Sequence, residues 1–243
     1  YGAAQRRIWT AESDQTSAIA EGIAQDKDFT KRLLTACGVP VPEGQIVATP
    51  EEAWAVAQEI GFPVTVKPSD GNHARGVTLE LSQEADIKTA FALAQPEGSD
   101  VIVEKFIDGV EHRLLVVGDK VVAATKGETV SVYGNGKSSL RELVAVLNED
   151  PRRGPEQEYP LDRQHVTPDS VIPQGQGVLL QRNGNMAIDC LDDVHPDVAY
   201  YAVLAAKIVG LDIAGMDMIL KDVSQPMQGQ GAILEVNAGP GLL

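Results

Sequence analysis

The run Ala232 to Gly241, Ala-Ile-Leu-Glu-Val-Asn-Ala-Gly-Pro-Gly, constrains the fold of this chain more than any other stretch. Side chains alternate along a strand, so Glu235 and Asn237 share one face while Leu234 and Val236 share the other. An apolar strand that ends on a carboxylate and an amide, then turns on Gly-Pro-Gly, is ill suited to open solvent. It suits a hard divalent cation, because Mg²⁺ takes a few rigid protein oxygens and fills its other positions with water and phosphate. The competing reading is a plain strand end followed by a turn. A second acidic strand weighs against it. Across Ile213 to Leu220, Gly215, Asp217 and Ile219 share a face, with Met216, Met218 and Leu220 opposite. If the two strands are neighbours, Asp217, Glu235 and Asn237 converge on one metal site.

A metal ledge of this kind needs an anionic ligand, and the net charge narrows which one. The formal charge of −15 argues against nucleic acid, whose binding needs a basic face. A small anionic substrate would have to meet a local basic cluster inside an acidic shell. Lys67 to Val77, Lys-Pro-Ser-Asp-Gly-Asn-His-Ala-Arg-Gly-Val, is the best candidate. Its glycines let backbone N–H groups approach a polyphosphate, with Lys67, His73 and Arg75 supplying charge. It lacks the Gly-Lys-Ser/Thr ending of the common nucleotide loop, and a surface hairpin remains open as an alternative. Val103 to Ile107 could line an adenine slot, Glu111-His112-Arg113 opens another strand, and Arg182 in a polar Asn-Gly turn could clamp a phosphate or carboxylate. His165 and His195 read as structural, and no Ser-His-Asp, Cys-His or zinc pattern can be argued from spacing.

Periodicity places these residues on an α+β frame. The spacing predicts a helix over 26–38, with Phe29, Leu33, Ala36 and Cys37 as its apolar stripe and Lys27 and Lys31 on another face. Further helices are expected at 50–60, 83–94 and 196–209, and one capped by Ser138 with Glu142 in its first turn. Strands are expected at 45–48, 64–67, 77–81, 101–104 and 178–180, with a hairpin 111–125 turning on Gly118-Asp119. From Asn148 to about Gln176 the periodicity lapses, as in a long loop. Cys37 and Cys190 both sit among apolar residues without metal-ligand spacing, which favours a reduced, cytoplasmic setting. No apolar run is long enough to span a bilayer. The chain opens at Tyr1 rather than Met and reads as a piece of something longer.

Taken in order, Asp26-Lys27, the Lys67 strand and loop, Glu104 to Ile107, Asp217 and Glu235-Val236-Asn237 resemble the ATP-grasp superfamily of carboxylate–amine ligases. A narrower resemblance, to the cyanophycin synthetase family and its ATP-grasp domain, rests on six further segments. These are Gln5 to Ile8, Asp14 to Ala20, Lys67-Pro68 with Asp70 to His73, Glu111 to Arg113, Asp150 to Gly154 and Gln181 to Asn185, besides Glu235 to Gly241.

The resemblance implies an ATP-grasp fold with ATP between an antiparallel lid subdomain (63–130) and a larger carboxy-terminal subdomain (131–243), after an amino-terminal, partly helical segment (1–62). It implies that Lys27 and Lys67 reach the phosphates, that Glu104, Lys105 and Ile107 frame the adenine, and that Glu111 approaches the ribose. Asp217, Glu235 and Asn237 would hold Mg²⁺, while His73, Arg182 and Lys67 serve the transferred phosphoryl group. The implied activity adds aspartate to a poly-aspartate backbone, with ATP, aspartate and an aspartate/arginine polymer as partners and a homo-oligomer as the full-length state. Alternatives are a ligase joining preformed β-aspartyl-arginine units, a glutathione-synthase-like ligase, and a nucleotide-binding module inert without neighbouring domains. Ala74, where the family usually has glycine, and a short stretch between Asp162 and Gln174 depart from its pattern.

Overall fold

A computed structural model describes residues 7–70, 75–128, 130–150, 166–181 and 187–241. In chain order its elements are β1 (Ile8–Trp9), β2 (Glu12–Ser13), α1 (Ala18–Gln25), α2 (Lys27–Ala36), β3 (Gly44–Val47), α3 (Pro50–Ile60), β4 (Val64–Pro68), β5 (Thr78–Leu81), α4 (Glu84–Ala94) and β6 (Val101–Lys105). They continue with β7 (Val110–Val117), β8 (Lys120–Gly127), β9 (Val130–Tyr133), α5 (Leu140–Asn148), β10 (Gly177–Gln181), β11 (Ala187–Asp189), α6 (Pro196–Val209), β12 (Ile213–Leu220) and β13 (Gly231–Ala238). The mixture of helices and antiparallel sheets is the α+β class expected from the sequence.

Two sheets carry the architecture. The first has strand order β3-β6-β4-β5, and all its pairings are antiparallel. Its back face, Val64, Val66, Val101 and Val103, is sealed under α3 and α4 by Ala53, Ala57, Ile87, Ala90 and Phe91. Strand alternation then leaves Thr65, Lys67, Ile102 and Glu104 on the other face. The second sheet, β11-β8-β7-β12-β13, is also antiparallel throughout. Leu114, Val116, Met216, Met218, Leu220, Ile233 and Val236 pack its inner face against α6 and α1. The hairpin β7–β8 turns where expected and hydrogen-bonds into this second sheet. The segment 63–130 is therefore shared between two sheets. A small satellite core joins β9, β10 and α5.

Most predicted elements stand within a residue or two of their expected bounds, and α3, α6 and β12 match. Four local readings change. The α2 helix buries Thr30 and Leu34, while Phe29 and Cys37 are exposed. Its inward stripe is 27-30-31-34, one step round from the predicted one, because the apolar groups at its carboxyl end face solvent. Of the two cysteines only Cys190 is buried. Ser139, not Ser138, caps α5: its hydroxyl accepts from Glu142 N while the Glu142 carboxylate accepts from Ser139 N. Finally, the β12–β13 register shifts after Asp217, which stands opposite Glu235 while Met218 stands opposite Ile233. Leu234 is thus an extra residue in a bulge, and Ile233 joins Val236 in the core in its place.

Candidate active site

The second sheet delivers the acidic ledge. Arg113, Asp217 and Glu235 stand abreast on β7, β12 and β13, so one row across the sheet reads cation, anion, anion. Asn237 lies two residues along β13, and its Nδ2 donates to Asp217 Oδ2 at 3.0 Å. Gly215, opposite Asn237, leaves room for the turn that follows: a methyl group there would lie 2.8 Å from Pro240. Asp217, Glu235 and Asn237 therefore converge as the strand pattern predicted. Among the described residues no group of three His, Cys, Asp or Glu side chains gathers. Two carboxylates and an amide fit Mg²⁺, which keeps several waters and takes phosphate oxygens, better than a metal that needs a full protein cage.

Both carboxylates already have cations. Arg113 grips Asp217 with two bonds, Nε to Oδ1 at 2.7 Å and Nη2 to Oδ2 at 2.8 Å. Lys27 Nζ lies 3.3 Å from Glu235 Oε1. The guanidinium of Arg113 is held above its ordinary pKa chiefly by its bonds to Asp217. Glu111, two positions back on β7, has its carboxyl pushed up by the crowding of surrounding protein and then by the charge of Asp217. A cleft of ≈ 190 Å³ opens beside this row, lined by Glu12, Glu21, Gln25, Lys27, Glu235 and Asn237. Larger hollows of ≈ 420 Å³ lie elsewhere, one of them around His112, the neighbour that alternation turns to the far side of β7.

The first sheet delivers the basic cluster. Glu104, only 2% exposed, stands on β6 with Lys67 Nζ 2.7 Å from its Oε2 and Lys31 Nζ donating to its Oε1. Burial alone would push this carboxyl up, but Lys67 and Lys31 together hold it below the usual carboxylate range. Lys31 is lowered by burial and by Lys67, with Glu104 opposing. Gly44, paired with Glu104 across β3 and β6, makes the space: a methyl group there would meet the Glu104 Cγ at 2.5 Å. Lys105 alternates to the opposite side and donates to the Gly61 and Phe62 carbonyls, both at 2.9 Å. Ile107 is half-buried just after β6.

The predicted residues thus fall into two groups. Asp217, Glu235, Asn237, Glu111 and Lys27 line the acidic ledge, and Lys67 and Glu104 form the basic cluster. Lys105 turns away from Glu104. Arg75 pairs with Glu97 at 3.5 Å on the surface instead of adding charge beside Lys67. His73, Ala74 and Arg182 lie outside the described residues. Sequence reasoning gave no role to Lys31 or Arg113. The 27-30-31-34 spacing would have found the first, and its alternation with Glu111 the second.

Comparison with known proteins identifies the family and the fold. Residues 26–151, just over half the chain, match the family described as the carbamoyl-phosphate synthase L chain, ATP binding domain. The cyanophycin synthetase of Crocosphaera subtropica is 37% identical over 263 aligned residues, covering 99% of this chain. This chain spans 30% of that relative's length. The crystal structure of a bifunctional glutathione synthetase from Pasteurella multocida superposes with a TM-score of 0.62 at 27% identity, over 99% of this chain and 36% of that one. The ATP-grasp ligase PsnB, solved with Mg and ADP, shares the fold at 19% identity and a TM-score of 0.55, over 93% of this chain and 54% of that one. The chain belongs to the carbamoyl-phosphate synthase L chain ATP-binding family, and its two antiparallel sheets, one carrying the acidic ledge and the other the lysine cluster, form an ATP-grasp fold.

Proposed function

We propose that this chain is the ATP-dependent module of a carboxylate–amine ligase that adds aspartate to the carboxyl end of a cyanophycin-type poly-aspartate backbone. The observation that carries the reading is the convergence of Asp217, Glu235 and Asn237 beside basic residues that come from α2 and β7. The similarity to a cyanophycin synthetase along 99% of the chain supports the choice of substrate.

Asp217, Glu235 and Asn237 would hold Mg²⁺, which when bound neutralises phosphate oxygens. Lys27 and Lys67 would hold the ATP phosphates, with Glu104 and Ile107 bordering the adenine and Glu111 the ribose; Lys105, its ammonium held by the Gly61 and Phe62 carbonyls, would border the adenine through its main chain. A terminal carboxylate oxygen of the acceptor attacks the γ-phosphorus, ADP leaves, and an acyl phosphate forms. The amine of aspartate then attacks the acyl carbon, expels phosphate and loses a proton. Positioning and fixed charge account for most of such catalysis, with His73 and Arg182 serving the transferred group. Exclusion of water protects the intermediate. The setting is a reducing cytoplasm. A second reading, a ligase closer to glutathione synthetase, is favoured by the superposition on that enzyme.

Hydroxylamine tests the shared chemistry. With acceptor and Mg-ATP it should trap the acyl phosphate as a hydroxamate while ADP is released. Glu235→Gln should lose both products and keep its fold. ADP release without hydroxamate would refute the acyl-phosphate route, and undiminished turnover in Glu235→Gln would refute the metal assignment.

A further inference from the structure

Lys67, the lysine assigned above to phosphate, already has a partner in Glu104. Taking one member away from a buried ion pair leaves an uncompensated charge, which disfavours the change strongly. In a simple pair, Lys67 would be held back from a ligand by the carboxylate it left behind. Glu104 is not in a simple pair. Lys31 comes from α2 onto Oε1, Lys67 comes from β4 onto Oε2, and the missing side chain of Gly44 gives the carboxylate its seat. The two lysines differ in reach: the Lys67 side chain is 23% exposed and that of Lys31 13%. Lys67 is the outer member and Lys31 the inner one. The surplus positive charge of the group can leave with Lys67 while Glu104 stays paired.

We propose that Lys31 is a positioning residue, the standing counter-ion of Glu104, which lets Lys67 pass from that carboxylate to the nucleotide phosphates without baring a buried charge. The proposal rests on the reading of the chain as an ATP-dependent ligase. Lys31 acts through Glu104 and touches no ligand itself. Its absence would strengthen the hold of Glu104 on Lys67 and weaken nucleotide binding.

The test is the Mg-ATP dissociation constant, by calorimetry on the full chain, for five proteins: wild type, Lys31→Met, Lys31→Arg, Glu104→Gln and the Lys31→Met/Glu104→Gln double variant. Lys31→Met should weaken binding about tenfold or more, because Glu104 then has only Lys67 to pair with. Lys31→Arg, which restores a cation, should recover most of the affinity. The double variant should bind like Glu104→Gln alone, since no buried carboxylate remains to be paired. If Lys31→Met fails to fold, this last comparison still decides, because neither protein in it buries a carboxylate without a cation. A loss on removing Lys31 that persists in the Glu104→Gln background would mean direct contact with nucleotide and would overturn the proposal. So would wild-type affinity in folded Lys31→Met. Wild type that fails to bind Mg-ATP would overturn the ligase reading, and this inference with it.

Discussion

Replacing Arg113 by glutamine should tighten metal binding in the absence of nucleotide. Arg113 donates to both oxygens of Asp217, at 2.7 and 2.8 Å, so a metal reaching Asp217 must displace it. Hydrogen bonds to a charged group are worth about 1.5–3 kcal/mol when shielded. Here the arginine side chain is 46% exposed, and solvent screening brings the pair down to about 1 kcal/mol. Removing that competitor should therefore raise metal affinity about fivefold. Loss of a positive charge beside the ledge acts in the same direction. Titration of Mn²⁺ against the nucleotide-free protein, read by calorimetry or by the disappearance of the free-ion resonance, gives the constant directly. Asp217→Asn should lose most of the binding and serves as the control. Unchanged or weaker Mn²⁺ binding in Arg113→Gln would refute the idea that this arginine and the metal compete for one carboxylate.

Leu114, fully buried between the second sheet and its helices, should cost about 2–5 kcal/mol of stability when cut to alanine, measured by urea unfolding. A cost below about 1 kcal/mol would mean that the core collapses onto the gap or is packed differently. The acid limb of the stability profile should contain a contribution from Glu104. Its carboxyl sits below its ordinary pKa in the folded chain, so the folded state binds fewer protons than the unfolded one as pH falls through the ordinary carboxylate range. That contribution is full above the range and is lost as pH falls toward the folded value. Glu104→Gln should flatten this limb, and an unchanged limb would show that the carboxylate is not held by its lysines.

The shared face of Asp217, Glu235 and Asn237 was legible because strand alternation is a rigid rule. Once Ile213 to Leu220 and the Glu235 strand are paired, Asp217, Glu235 and Asn237 must share a side. The helices with clear caps were legible for the same kind of reason: Thr49-Pro50 and His195-Pro196 each fix a first turn. What escaped depended on tertiary pairing. The α2 helix has apolar residues on two sides, and only docking of α1, α6 and β13 selects the stripe carrying Lys27 and Lys31. The bulge at Leu234 follows from a one-residue mismatch between two strands, which neither strand shows alone. The pairing of Glu104 with two lysines joins positions 31, 67 and 104, and no local period links them.

The mass of the product tests the aspartate-adding activity most directly. A short β-aspartyl-arginine primer is incubated with the protein, Mg-ATP, free aspartate and free β-aspartyl-arginine together, and analysed by mass spectrometry. The expected product is a primer heavier by one aspartate residue, with one ADP formed per addition. A primer heavier by the whole dipeptide, or one left unextended in an otherwise ATP-binding protein, would contradict that activity.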